Sequence, residues 1–455
     1  MGDTALPDQP AEAGYDVAAA LAEAPWSAWQ KRVLALLALA YLTDGIANQS
    51  LGLAIPALMK SWSLPREAFA PVAALGLVGL TIGAVAGGMI GDRIGRRPML
   101  VGSVALFGLL TLAQGWAGSL GALMALRLGD GLAIGAMIPN GAALISDYAP
   151  RRQRAVALAF GMTFIAVGAM VGGLVGALVM PAFGWPGLFS AFGLIALGVA
   201  AGLAMALPEA PGHLAARPER HDALRRIAAR CGLMPGARPL VAGPARQAAA
   251  SRPGLALLFA EGKGVSTVAL WIAFFFCLLA NYAMFSWVPA MLAALGFALS
   301  LTSLGMTALS LGGITGGMAS GWMIRQWGSR GTVLWLTAGG ILAAVATGGV
   351  VHARLGGLPA IFALLAVIGF FTSGLLNGLY TFSAFIYPDR VRGTGVGAAA
   401  AAGRVGAIAS SWAGVVALGM GGASSYFLLI AGSLAVAFVA VALIRDHIPA
   451  AGAAA

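Results

Sequence analysis

Twelve runs of about twenty apolar residues, set six and six around a polar interval, constrain this chain more than any other feature. They lie near 33–59, 68–90, 98–117, 119–146, 155–180 and 185–207, and again near 266–294, 301–324, 331–351, 358–386, 393–419 and 423–444. Each is long enough to cross a bilayer as a helix. The expectation is an all-α membrane protein of twelve transmembrane helices in two six-helix bundles.

Composition excludes the water-soluble alternative. Charged residues make up 9% of the chain, against about 25% in soluble domains. So few cannot cover a water-facing surface, and a single apolar core stops growing beyond about 250–300 residues. The net charge of +11 does not mark a nucleic-acid binder, because the basic residues are spread over many short loops. Cys231 and Cys277 fall in a polar linker and an apolar span, so neither a disulfide nor a metal site is expected. No nucleophile–base pair, metal cluster or phosphate loop is visible, so the chain does not read as an enzyme. No cofactor is expected either.

The runs divide the chain into a cytoplasmic tail (1–32), a first bundle (33–207), a cytoplasmic linker (208–265), a second bundle (266–445) and a short cytoplasmic tail (446–455). The first 30 residues are acidic and lack the basic start of a signal peptide, so they read as a disordered tail. Within the linker, Leu224, Ile227, Cys231 and Met234 lie at helical spacing opposite Arg225, Arg226 and Arg230, as in an amphipathic helix at a membrane surface.

Orientation follows from Lys and Arg. With the N-terminus inside, Lys31, Arg32, Arg93, Arg96, Arg97, Arg151, Arg152, Arg154, Arg325, Arg330, Arg390, Arg392 and Arg445 are cytoplasmic, with nine more in the linker. Only Lys60, Arg66 and Arg354 are then outside. The halves also repeat. Pro150-Arg151-Arg152-Gln153-Arg154 matches Pro388-Asp389-Arg390-Val391-Arg392, and the same offset carries Gly168 onto Gly406. Gly88, Gly95 and Arg97 map onto Gly321, Gly328 and Arg330. Parallel repeats with a substrate site between them are a transporter plan.

The loop Gly91-Asp92-Arg93-Ile94-Gly95-Arg96-Arg97 resembles the signature loop of the major facilitator superfamily. That resemblance implies two bundles related by pseudo-twofold symmetry. It also implies a gate at Asp92, Arg93, Arg96 and Arg97, in which Asp92 holds cationic groups or a helix N-terminus in one state and releases them in another. Asp44-Gly45, Arg127, Met137-Ile138-Pro139-Asn140, Tyr148-Ala149-Pro150, Tyr387-Pro388, Arg392-Gly393-Thr394-Gly395 and Gly403-Arg404-Val405-Gly406-Ala407-Ile408 are similar to one branch, the aromatic acid/proton symporters. The likeness covers nearly all of 33–445 outside the linker. The branch carries Asp-Gly-x-Asp in span 1, whereas here Ala47 stands at the second acid, and Asp130 is an acid the branch does not lead one to expect. Span 5 reads Gly168-Ala169-Met170-Val171-Gly172-Gly173 and lacks the proline of the superfamily's exchanger pattern, which favours symport or uniport.

Charge deep in a bilayer costs about 2.5–3.5 kcal/mol per residue. Asp44, Arg127, Asp130 and Arg404 are therefore candidates for partners or tasks. Asp44, Arg127 and Arg404 sit about 8 to 11 residues into their spans, at depths from which they can face one cavity. Arginine suits a carboxylate because its planar fork donates two parallel hydrogen bonds. Arg127 and Arg404 are accordingly candidate substrate ligands, with a purely structural pair between Arg127 and Asp44 or Asp130 as the alternative. Asp44 is the first candidate proton carrier and Asp130, three residues from Arg127, the second. Asn48, Asn281, Tyr282, Phe285, Asn377 and Tyr380 are candidate lining residues able to stack on a ring or grip its substituents. Trp287, near the outer end of span 7, reads as an interfacial belt residue.

These features together give a symporter importing a small aromatic carboxylate with protons across the bacterial inner membrane, acting as a monomer in the lipid bilayer. Transport of aliphatic mono- or dicarboxylates is the alternative, and a non-transporting membrane sensor a further one.

Overall fold

The computed structural model describes residues 14–233, 239–241, 258–259, 263–353, 357–387 and 392–449. Met234, Arg354, Pro388, Asp389, Arg390 and the linker stretches 234–238, 242–257 and 260–262 lie outside the described residues. The helices are α1 (Val17–Glu23), α2 (Ala28–Trp62), α3 (Ala70–Ile94), α4 (Arg96–Gln114), α5 (Leu120–Tyr148), α6 (Arg154–Ala206), α7 (Pro211–Ala215), α8 (His221–Arg230), α9 (Gly264–Ala294), α10 (Leu299–His352), α11 (Gly357–Ile386) and α12 (Arg392–Leu443). Among the described residues there is no strand, only an isolated bridge between Tyr15 and Leu240.

Three helices are too long to cross a membrane once. α6, α10 and α12 have 53, 54 and 52 residues, about 80 Å each, against a hydrocarbon core of about 30 Å. Each breaks at a glycine with left-handed backbone: Gly184 (φ 62), Gly328 (φ 72) and Gly422 (φ 61). Only a residue without a β-carbon takes that conformation freely, so each helix turns back as two spans. Counting α2, α3, α4, α5, α9 and α11 with these pairs, the chain has twelve spans in two bundles of six. α2 carries Asp44, Asn48, Gln49 and Ser50 at its centre.

Small residues let spans cross closely. A β-carbon on Gly45 would meet the Ile165 carbonyl at 1.9 Å, and one on Gly168 the Leu42 carbonyl at 2.0 Å. In the second half, a β-carbon on Gly406 would meet the Phe275 carbonyl at 2.0 Å. Span 5 thus crosses span 1 as span 11 crosses span 7, at the two glycines the internal repeat relates.

The halves meet at the end away from the loop Gly91–Arg97. Gln49 Nε2 of span 1 donates to Ser310 Oγ of span 8 at 3.2 Å, and Thr307 Oγ1 donates to the Met170 carbonyl of span 5 at 3.5 Å. Gly52 packs on the Phe285 carbonyl, while Gly173 and Gly176 pack on Ser303 and Thr307. One apolar core runs across both halves here, from Ile46 and Leu53 to Trp287 and Met291. The described contacts between the halves gather at this end.

Two expectations are corrected at the loop face. Residues 17–23 of the tail are helical: Asp16 caps α1, and Val17 and Leu21 are fully buried. The Tyr15 amide donates to the Pro239 carbonyl at 2.8 Å, tying the tail to the linker. α8 is amphipathic as expected, but Leu224, Ile227 and Ala228 pack into a protein core with Val33, Leu100, Tyr148 and Leu207 rather than into lipid. Trp287 is also corrected. It is fully buried against Gly414, not exposed at a membrane belt.

Candidate functional site

At mid-depth a cavity opens between spans 1, 2, 4 and 7. Its lining includes Asp44, Ala47, Asn48, Gly76, Arg127, Asp130, Tyr282, Phe285 and Ser286, and its volume is about 50 Å³, room for a few waters. Six of the expected residues are therefore brought together: Asp44, Asn48, Arg127, Asp130, Tyr282 and Phe285.

Span 4 places Arg127 and Asp130 one turn apart, so their side chains meet on one face. Arg127 Nη1 donates to Asp130 Oδ2 at 2.9 Å and to Ser50 Oγ at 3.0 Å. Thr111 Oγ1 of span 3 donates to the other oxygen, Asp130 Oδ1, at 3.1 Å. Buried Gln114 lies alongside without a well-aligned hydrogen bond. The side chains of Arg127 and Asp130 are 12% and 4% exposed, so this pair is nearly dry. Arg127 Nε is buried and has no partner. Nε and Nη2 stand 3.6 and 3.7 Å from where a β-carbon on Gly76 would be. With no side chain at Gly76, that edge of the guanidinium packs beside the cavity without a hydrogen-bond partner.

Asp44 is not the partner of Arg127. Asn48 Nδ2, one turn on, donates to Asp44 Oδ1 at 3.4 Å. The charge that acts on Asp44 is Arg404 of span 11, in the other half. Tyr282 lies in the field of both, and Tyr380 in that of Arg404. Asp44 thus lies in the field of Arg404 across the two halves, and a change in their separation alters that field directly.

The remaining expected lining residues are placed differently. Asn281 is buried and its Nδ2 donates to the Thr372 carbonyl at 3.3 Å, joining spans 7 and 10 away from the cavity. Tyr380 is 40% exposed and packs edge-on against Phe274, with ring centroids 5.0 Å apart. Asn377 is exposed, with Nδ2 over Gly317 of span 8. Neither Asn377, Tyr380 nor Arg404 lines the cavity.

At the loop end, Asp92 is 71% exposed and 3.9 Å from Arg96. Arg96 pairs more closely with Asp147, at 2.6 Å, and Arg97 donates to the Ala204 carbonyl. Arg93 is exposed. The helix N-terminus here belongs to α4 and is held by Glu209 rather than Asp92. Glu209 Oε1 accepts from the amides of Arg96 (3.0 Å), Arg97 (3.1 Å) and Ala210 (2.8 Å), and Tyr148 Oη donates to the Glu209 carbonyl at 2.5 Å. Gly95 has no side chain with which to cap α4, so an acid more than a hundred residues away supplies the cap. Sequence reasoning missed Glu209, along with Ser50, Thr111 and Gly76. Only the isolated acid just after span 6 was a signal.

Two parallel bundles, a cavity between spans at mid-depth and buried charge facing it define a membrane transporter. A family model described as Major Facilitator Superfamily matches residues 37–354, and the chain belongs to that superfamily. It is 30% identical to the 4-hydroxybenzoate transporter PcaK of Pseudomonas putida, over 89% of this chain and 90% of that one. It is 33% identical to the gallate transporter of Pseudomonas putida, over 90% and 91%. Among solved structures it is similar to the inward open conformation of the xylose transporter XylE from E. coli, with TM-score 0.73 and 16% identity over 92% of this chain and 97% of that one.

Proposed function

We propose that this protein is a proton-coupled symporter that imports a small aromatic carboxylate of the hydroxybenzoate kind across the bacterial inner membrane by alternating access. The observation that carries this reading is the unpartnered edge of Arg127 beside a cavity that Tyr282 and Phe285 also line. A guanidinium edge takes a carboxylate through two parallel hydrogen bonds, and the rings offer a stacking surface. Arg404, outside the cavity lining, acts on Asp44 from the other half. The relatives named for 4-hydroxybenzoate and gallate support an aromatic cargo.

Both termini, the linker and the loop Gly91–Arg97 are cytoplasmic in this account, on the Lys and Arg distribution. The molecule is then inward-open, and Asp92, Arg93, Arg96 and Arg97 form a released gate. Asp44 carries the coupled proton. When the halves close, Arg404 and Asp44 change separation, and the carboxyl group changes protonation as its cation approaches or withdraws. Asn281 acts as a structural tie in this account.

Asparagine keeps the size and hydrogen bonding of Asp44 but cannot ionise. Asp44→Asn is expected to abolish accumulation driven by a pH gradient while sparing thermal stability, substrate binding and downhill exchange. All are measured on one purified variant, the last after reconstitution. Full proton-driven uptake by that variant would sink the assignment.

A further inference from the structure

The symport reading leaves Asp130 without a task, yet Asp130 shares the cargo's proposed ligand. We propose that Arg127 stands between two carboxylates, its Nη1 held by Asp130 and its Nε–Nη2 edge offered to the anion, so that the anion binds only when Asp130 carries a proton. This inference rests on the anion-transport reading above and adds a second proton, taken up at the binding step.

Charge must balance in a place as dry as this one. Without cargo, Asp130 and Arg127 neutralise each other at 2.9 Å. A second carboxylate on the same guanidinium leaves one uncompensated negative charge beside a side chain only 4% exposed. Uncompensated charge in such surroundings is relieved by neutralising the group. The neighbours offer no other relief. Span 3 contributes Thr111 and Gln114, which do not titrate. Span 2 contributes Gly76 and apolar residues, and span 7 contributes Tyr282, Phe285 and Ser286. Span 1 contributes Ser50, which accepts from Arg127, and Asp44, which accepts from Asn48 and makes no ion pair with Arg127. Among the described residues, Asp130 pairs with Arg127. A proton from the aqueous cavity therefore goes to an Asp130 oxygen and forms a single O–H bond. The neutral carboxyl still accepts from Arg127 and Thr111.

Ala47 lines the same cavity as Asp130. The acid absent from span 1 at position 47 is thus matched across the cavity by one on span 4.

The two acids then act on different quantities. Asp130 sets how affinity depends on pH. Asp44 sets whether the occupied carrier turns over.

The test is equilibrium binding of 4-hydroxybenzoate to purified protein between pH 5.5 and 8, a range in which its carboxylate stays ionised. Wild type is expected to lose affinity with rising pH, by up to about tenfold per unit above the acid's midpoint. Asp130→Asn should flatten that slope. In unbuffered solution, wild type should take up about one proton per anion bound, read with an indicator dye. That measurement needs no variant and holds even where Asp130→Asn fails to fold. A pH-independent wild-type affinity, no proton uptake on binding, or a slope that survives in folded Asp130→Asn would each overturn the inference while leaving the anion reading intact. No binding at any pH removes the anion reading and this inference with it.

Discussion

Glu209 provides a stability prediction whose size follows from its contacts. Its carboxylate accepts three amide hydrogens, two of them in the first turn of α4, and the residue is 8% exposed. Removing a side-chain cap costs about 1 kcal/mol, within a range of about 0.5–2. Losing an anion at a helix N-terminus adds about 0.3–1 kcal/mol. Amides left buried without their acceptor add about 1–3 kcal/mol. Glu209→Ala is therefore expected to destabilise the protein by about 2–4 kcal/mol, and Glu209→Gln, which keeps an acceptor oxygen, by about 1 kcal/mol. Unfolding in mixed micelles with increasing denaturing detergent, followed by tryptophan fluorescence, reads both. An effect of Glu209→Ala below about 0.5 kcal/mol, the scatter of ordinary surface substitutions, would refute the cap. So would an amide as costly as alanine, because the charge and geometry of the acceptor would then be irrelevant.

Two further outcomes follow from the geometry. Arg404→Lys is expected to keep the protein folded but lose at least tenfold in substrate affinity, because a point charge replaces a planar fork; unchanged binding in equilibrium titration would make Arg404 structural. A β-carbon on Gly176 would stand 3.5 Å from that of Ser303, within disulfide range, so Gly176→Cys with Ser303→Cys, in a background lacking Cys231 and Cys277, should crosslink on oxidation and stop transport until reduced. Free transport by the crosslinked protein would contradict closure of this end as part of the cycle.

Much of this architecture was legible because bilayer physics acts on runs of sequence. The spans announce themselves by length, and the glycines at 168 and 406 by the repeat. The local pair of Arg127 with Asp130 followed from spacing along one helix. What was hidden depends on distant packing. α1 is seven residues long, too short to form alone, and becomes helical only because Val17 and Leu21 find a core made by the linker. Glu209 and its amides lie 112 and 113 residues apart. Trp287 looks like a belt residue by position along its helix, but faces Gly414 on another span. Asn281 sits beside Tyr282 in sequence, yet the two point to different neighbours, because successive helical residues face different directions.

The central claim is that proton movement drives aromatic carboxylates through this protein. Its most direct measurement is uptake of labelled 4-hydroxybenzoate into proteoliposomes with an imposed pH gradient, acid outside, beside a short aliphatic dicarboxylate. 4-Hydroxybenzoate is expected to accumulate above its external concentration, a protonophore to collapse the accumulation, and the dicarboxylate to be ignored. Accumulation of the dicarboxylate instead, or equal 4-hydroxybenzoate uptake with and without the gradient, would contradict it.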